Sequence, residues 1–524
     1  MSDEIKAKKV YGIDLGTTYS AIAVVDDTNN AAIIPNTEGE RITPSAVFFE
    51  STGEDGKPNV IVGKIAKENA NTDPDHFVDF VKPHMGSTEW KREIEGIEWT
   101  PEMISAQILK KLVKGVEQTG EKVEDVVITC PAYFNNEQRL ATANAGKMAK
   151  LNVLAVINEP TAAALHYGLN RASEAQTAVV YDLGGGTFDV TVVKIAANGD
   201  IEVICSDGNH NLGGKNWDAK IAQYLAEKFA EENGCSADDL LNDPETSTEL
   251  RIGSEIVKQT LSQRPKATRK VSHGGASSRI EMDRETFEAL TKPLLDETEQ
   301  LTESMMALAT EKGIEKFDEF LLVGGSTRMP QVIEMVKAKF GSRVANEPRQ
   351  HDVDEAVAKG AALYGSIKTI TIGPDPYPPN PIRIKNVASR SYGIQVLKNG
   401  APVVFNLIHK QTQVPFEKAK EFPVSEDNAA KLPLRIFENE NLDDVASLEE
   451  SSSAGETEME LTPGLKKGSP IRITFKLTDE GILEFEALDV TNNKEVKTTF
   501  TPKGALTQQQ IDEKTEIIGS LSID

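Results

Sequence analysis

The sequence predicts an α/β protein with an all-β unit on its C-terminal side, and three observations carry that prediction. Up to about Ile370, short β-branched runs alternate with long helical periods, the pattern of strands covered by helices. The segment 371–381, TIGPDPYPPNP, then holds five prolines in eleven residues, which neither a helix nor a central strand tolerates. After it come short strand-like runs divided by turn signals such as KNG and DEG, with little helical period until Leu506.

In chain order, VYGID, AIAVV and SAVFF read as strands, a helix follows near 102–118, VVITC is a strand and a second helix spans about 136–149. Beyond the prolines, YGIQVL, APVVFNLI, LPLRIFEN, IRITFKLT, ILEFEALDV and VKTTFTP read as the strands of the β unit. Between Phe437 and Glu460, nine acidic residues, a run of serines and no Lys or Arg predict a solvated loop. The final LTQQQIDEKTEIIGSLSID opens on Thr507 as a helix N-cap and reads as one short helix.

A length of 524 residues suits three to four units of about 150 residues each. The net charge of −25 repels phosphate backbones and anionic lipid, so nucleic acid and membrane surfaces are poor partners. Cys130, Cys205 and Cys235 are too few and too scattered for a disulfide framework or a thiolate zinc site, which points to a reducing compartment. With no apolar leader and no run near the ~20 apolar residues of a membrane span, the expected location is the cytoplasm.

One internal repeat stands out: IDLGTTYSAIAVV at 13–25 and YDLGGGTFDVTVV at 181–193. Both read as strand, Asp-Leu-Gly, tight polar turn and strand. A period of 168 residues is too long for a solenoid and implies two duplicated α/β lobes. In each turn the glycines allow close backbone approach, and successive N–H groups form a nest for phosphate oxygens. Asp14 and Asp182, at the strand ends, are placed to hold a magnesium ion through its waters. FLLVGGSTRMP at 320–330 adds a third glycine-rich strand end. Neither G-x-x-x-x-G-K-[ST] nor an opening G-x-G-x-x-G occurs, so a P-loop or dinucleotide-binding assignment has no support.

GIDLGTTYS, VVITCPAYFNNEQRLAT, VINEPTAAALHYGL, VVYDLGGGTFDVT, NLGGKNWD, LLVGGSTRMP and DEAVAKGAAL stand in this order from Gly12 to Leu363. Together they resemble the seventy-kilodalton heat-shock protein (DnaK-type) chaperone family of the actin-like ATPase superfamily. GIQVL, NLIHKQTQVPFEKAKEFPVSEDN and DEGILEFEALD are similar to that family's peptide-binding β-sandwich. The resemblance implies an actin-like two-lobed ATPase domain over 1–370, a boundary and linker over 371–387 and a β-sandwich over 388–503. Residues 504–524 are then a short helix in place of most of the family's helical lid.

The same resemblance implies the site. Asp14, Gly16, Thr17, Thr18 and Tyr19 match one phosphate loop, and Asp182, Gly184, Gly185, Gly186 and Thr187 the other, with Gly213, Gly214 and Gly324 contributing. Gly325, Ser326, Arg328 and Asp354 match the adenosine pocket, joined by Glu255, Lys258 and Ser262. Lys82, Glu159, Asp182 and Thr187 match the catalytic groups. Lys82 would position the attacking water, and Glu159, with Pro131, would link nucleotide state to the rest of the chain. Magnesium and potassium would be held around Asp14, Asp182 and Asp189. Ile394, Leu397, Phe422, Val424 and Leu432 match the pocket for a hydrophobic peptide side chain, although alternating apolar residues equally fill a sandwich core.

Some positions depart from the family. Gln259 stands where a stacking arginine is usual, which removes a cation–π contact. The linker reads Ile382-Arg383-Ile384-Lys385-Asn386, with two cations among its apolar residues, and Leu154-Ala155 replaces a basic pair that meets J-domain partners, while Arg139 is retained. Pro423 and Pro433 each remove an N–H donor and belong on edge or bulge positions. The chain is thus expected to be an ATP-dependent chaperone that slowly hydrolyses Mg-ATP and binds unfolded or nascent polypeptides. Expected partners include a J-domain co-chaperone and a nucleotide exchange factor. The alternative is a relative that holds ATP as a structural ligand and serves as a partner subunit. A sugar kinase on the same superfamily fold has no place for the β unit.

Overall fold

The computed structural model describes residues 9–26, 28–51, 57–168, 174–372, 383–478, 481–496 and 506–524. Its α/β part contains two sheets of one design. In the first lobe the strands run in the order Asn152–Asn158, Asp125–Cys130, Val10–Asp14, Tyr19–Val25, Ala31–Ile33. In the second lobe the order is Glu319–Val323, Gln176–Leu183, Phe188–Ile195, Ile201–Asn209. Each copy of the repeated motif occupies the same place: its first strand has a parallel neighbour on one side and its own hairpin partner on the other. The hairpins close at Asp14 opposite Ala21 and at Leu183 opposite Phe188.

Local chemistry accounts for the elements. Asp125–Cys130 is buried along its whole length, as befits a β-branched strand covered on both faces. The helix Pro101–Glu117 has proline in its first turn, where no N–H is needed. The helix Asn136–Met148 begins with a capping box in which Asn135 and Gln138 satisfy each other's backbone. Between the two sheets lie the helices Glu159–Gly168 and Ala356–Ile372. Ala162, Ala163, Ala164, Ala356 and Ala361 join strand residues of both lobes in one core cluster. Small residues permit this approach: a Cβ on Gly360 would lie 1.7 Å from the carbonyl oxygen of Ala162.

The β unit is a sandwich. Strands Val445–Ala446, Ala401–Ile408, Ser391–Lys398, Lys431–Asn439 and Ser451–Glu460 form one sheet. Phe416–Pro423, Pro470–Leu477, Leu483–Asp489 and Lys494–Val496 form the other. Leu407, Leu434 and Ile436 of the first pack with Ile471, Ile473, Phe475 and Phe485 of the second. The acidic stretch corrects the loop expectation, because Ser451–Glu460 is a strand paired with Lys431–Asn439. Its carboxylates meet cations across the ladder, Glu458 with Lys431 and Glu456 with Arg435, while Met459 is buried. Pro423 ends a strand whose backbone pairs with Pro470–Leu477, and Pro433 lies beyond Ile436, the last residue of its strand paired to Ser391–Lys398. Both are edge positions.

The proline-rich residues 373–382 lie outside the described residues. The linker that follows adds to the second lobe, with Ile384–Lys385 parallel to Ile201–Glu202 and Ile201 N donating to the Arg383 carbonyl at 2.8 Å. Gln411 then exchanges two hydrogen bonds with the backbone of Ser206, and Lys410 bridges Asp207 and Glu440 at 3.0 and 2.6 Å. On the first lobe, Asn135 Nδ2 donates to Glu438 at 2.6 Å. The last helix, Gln508–Gly519, is capped by Thr507 and docks on the first lobe, where Ile511, Ile518 and Leu521 enter its core. Ile523 forms an isolated parallel bridge with Val60.

The contact between the two central helices sets a stability test. Gly360→Ala forces a methyl into the Ala162 backbone, which cannot rotate away, and overpacking of this kind costs about 1–3 kcal/mol. The unfolding free energy extrapolated to water is expected to fall by that amount, seen as a lower urea midpoint at an unchanged slope.

Candidate functional site

Between the lobes lies a cavity of about 680 Å³, within the size range of small-molecule sites. The two repeated hairpins line its floor from opposite sides. They touch tightly: a Cβ on Gly185 would sit 2.1 Å from Thr18 Oγ1, and one on Gly186 would sit 2.5 Å from Thr17 Cγ2. Gly184 N donates to the Thr187 carbonyl at 3.0 Å, closing the second turn. Gly214 and Lys215 donate from the start of the helix Gly214–Asn233 to the carbonyls of Gly184 and Gly185 at 3.0 and 2.7 Å. The loop Gly324–Arg328 completes the wall, with Gly324 at φ 83° and Ser326 Oγ donating to the Gly184 carbonyl at 2.9 Å.

The acid–base pair of the site is Lys82 with Glu159, in hydrogen-bond contact and nearly inaccessible to solvent. Burial alone would pull the Lys82 ammonium down, but the Glu159 and Asp14 carboxylates outweigh it and hold it above its ordinary value. Burial, followed by the Glu159 carboxylate, pushes Asp14 up to about 7. Asp182 and Asp189 rise well above the carboxylate range for the same two reasons. Asp14 accepts from Thr129 Oγ1 at 3.1 Å, while Asp189 Oδ1 is buried with no hydrogen-bond partner. Among the described residues no three such side chains converge to ligate an ion directly. Carboxylates so arranged fit a magnesium ion that keeps its own waters.

At the far end, Lys258 donates to Asp218 at 2.8 Å and to the Gly214 carbonyl at 3.1 Å, and Arg328 pairs with Asp354 at 2.6 Å. Glu255 crosses the cleft, accepting from Tyr19 OH at 2.8 Å and from Lys67 Nζ at 2.6 Å. Burial would raise the Glu255 carboxyl, yet Lys67 reverses it and leaves the group below its usual range. Ser262 and Gln259 line the same wall.

Of the residues singled out in the sequence, Gly186, Gly213, Gly214 and Asp189 do not line the cavity. The three glycines stand behind it, where Gly213 packs on the backbone of Gly186. Asp189 lies one layer down, opposite Asp182 in the hairpin. The others named for the nucleotide and its chemistry all face the cavity. Asp218, Gln263 and Gln350 line it as well. Asp218 carried a faint signal in the run NLGGKNWD, and the two glutamines carried none. In the β unit, Ile394 and Val424 are core residues, Phe422 and Leu432 are half-buried against that core, and Leu397 is 68% exposed.

The model of the family described as Hsp70 protein matches residues 10–518. This chain belongs to the Hsp70 family. The chaperone protein DnaK of Thermotoga neapolitana is 38% identical over 516 residues, covering 97% of this chain and 82% of that protein. The DnaK proteins of Thermosipho melanesiensis and Thermotoga petrophila are 36% and 37% identical with the same coverage. The Hsp70 assignment accounts for the paired hairpins, the buried carboxylates and the sandwich together.

The contact of the two hairpins predicts a binding defect. In Gly185→Ala the methyl pushes Thr18 away, and an overpacking cost near 1.4 kcal/mol amounts to about tenfold in affinity. Calorimetric titration is expected to find ATP binding weakened by about that factor, whereas Gly120→Ala, in open space, leaves it unchanged.

Proposed function

We propose that this protein is an ATP-dependent chaperone of the Hsp70 type, with nucleotide hydrolysed in the cleft between its lobes. The observation that carries this is the buried Lys82–Glu159 pair at the base of two facing glycine hairpins. Phosphoryl transfer to water is mainly positioning and charge neutralisation, and this site supplies both. The turns at Gly16–Tyr19 and Gly184–Thr187 cradle the phosphates with backbone N–H groups, and the wall Glu255, Lys258, Ser262, Gly325, Arg328 and Asp354 receives the nucleoside.

Lys82, fully charged at neutral pH, orients the attacking water and faces the charge that builds on the γ-phosphate. Thr187 helps hold that water, and the Glu159 carboxylate keeps the ammonium in place. Asp14 and Asp182 would hold a magnesium ion through its waters, and the ion would neutralise phosphate charge. Asp14 and Asp189, whose buried Oδ1 has no hydrogen-bond partner, would hold potassium beside it.

The β unit supplies the chaperone surface. Leu397, Phe422 and Leu432 are the apolar groups available to an extended hydrophobic segment, and Ile394 and Val424 support them from the core. Its contacts with both lobes, through the Ile384–Lys385 strand and Asn135–Glu438, give nucleotide state a route to that surface. Arg139, buried between Asn158 and the Phe134 carbonyl, stands on the same route as Pro131. Partners are unfolded polypeptides, a J-domain protein and an exchange factor, and the chain works in the cytoplasm. Among the described residues no helix is long and apolar enough to cross a membrane. The reading as a non-hydrolysing subunit is not favoured, since Lys82, Glu159, Asp182 and Thr187 are together in one cleft.

Single-turnover hydrolysis of radiolabelled ATP tests the proposal. Lys82→Ala is expected to slow it by about 10²-fold or more with ATP binding retained, and loss of binding instead would reassign Lys82. An excess of unfolded hydrophobic peptide is expected to accelerate the wild-type protein.

A further inference from the structure

Lys82 is carried by an unusual stretch of backbone. The strand Phe77–Val78 ends, Asp79 follows, Phe80 takes a left-handed conformation at φ 51°, and Lys82 opens a short 3-10 turn. A bulky residue rarely adopts that conformation, and it persists only where neighbours over-determine it. Here the neighbour is on the other lobe. Arg251, on the helix Pro244–Gln263, pairs its guanidinium with the Asp79 carboxylate and lies over the rings of Phe77 and Phe80 at 5.6 and 5.7 Å. Burial pushes the Asp79 carboxyl up and Arg251 opposes the push, so the pair is the main compensation for an enclosed charge.

The same helix face makes two more contacts across the cleft. Ile252 packs on the first-lobe cluster that contains Phe77, and Glu255 accepts from Lys67 and Tyr19. A rigid helix belonging to the second lobe therefore grips the segment that delivers the lysine of the first. We infer that Arg251 is a positioning residue for hydrolysis: when the lobes close, it locks Asp79 and Phe80 and so sets the place of Lys82. When they part, Asp79 loses its counter-ion, Phe80 is released and the lysine leaves its working position. Misplacement of a catalytic group by about 1 Å is worth up to 10²-fold in rate. The inference rests on the role proposed above for Lys82.

Single-turnover rates at saturating Mg-ATP, measured beside ATP affinity, separate positioning from simple stapling of the cleft. Arg251→Ala is expected to slow hydrolysis by about tenfold or more, with affinity changed by less than about threefold. Arg251→Lys, which keeps the charge but not the planar stack, is expected to recover part of the rate. In a Phe80→Gly background, where left-handed backbone is natural, the same Arg251→Ala change is expected to cost much less. An unchanged rate in Arg251→Ala, or a loss confined to affinity, overturns the inference while Lys82→Ala remains inactive. Full activity of Lys82→Ala overturns the site assignment and the inference with it. Circular dichroism and thermal melts of each variant establish that the compared proteins are folded, and Asp79→Asn, which keeps the shape, is expected to reproduce the rate defect.

Discussion

The cleft depends on holding four acidic side chains, Asp14, Glu159, Asp182 and Asp189, around the ammonium of Lys82. Three of the four carboxyls are raised by burial and by the Glu159 carboxylate, and Lys82 is the positive charge that each of them feels. At short range and low local dielectric such repulsion is strong. One lysine offsets part of it, and a hydrated divalent cation with its nucleotide complements the rest. The carboxylates come from both lobes, Asp14 from the first sheet and Asp182 and Asp189 from the second. Closing the cleft is therefore an electrostatic event as well as a mechanical one, because it gathers carboxylates of both lobes around one ammonium.

The architecture that brings these groups together was legible where its causes are local. The two Asp-Leu-Gly turns sit between strands a few residues apart, so motif and geometry coincide. The capping signal at Thr507 is equally local, and its helix begins where that side chain directs. Composition averaged over the acidic stretch hides a period of two. Thr457 is half-buried and Met459 buried, while Glu456 and Glu458 turn outward toward Arg435 and Lys431 on a strand earlier in the chain. Charge that looks unpaired along one strand is paired across the ladder.

Contacts remote in sequence were not legible from local pattern. Lys82 meets Glu159 across 77 positions and Tyr19 meets Glu255 across 236. Family resemblance named those residues for the nucleotide, but nothing in spacing paired them. Arg251, Asp79 and Phe80 carry no local signal, since an arginine on a polar helix and an aspartate after a strand are ordinary until the lobes are assembled. The linker shows that two cations in this segment are compatible with strand addition. Arg383 and Lys385 point to solvent while Ile384 packs inward, and the pairing with Ile201–Glu202 is made by backbone atoms that are indifferent to side-chain charge.

The β unit is consequently tied to the lobes at both of its ends. Its leading strand adds to the second-lobe sheet, and the chain beyond it returns to the first lobe, where Ile511, Ile518 and Leu521 fill core positions and Val60 pairs with Ile523. Lys110 and Lys114 donate to the carbonyls of Ile518 and Ile523 at 2.8 and 2.6 Å, so the return is held by hydrogen bonds as well as apolar burial. A rotation of one lobe against the other must then either carry the sandwich along or loosen one attachment. The attachment through backbone pairing of two residues at Ile384–Lys385 is the smaller, and the one made by three buried side chains and an isolated bridge is the larger. Beside the linker, the Gln411–Ser206 and Lys410–Asp207 contacts lie on the hairpin side of the second-lobe sheet that also carries Asp189, while Asn135–Glu438 ties the same unit to the first lobe.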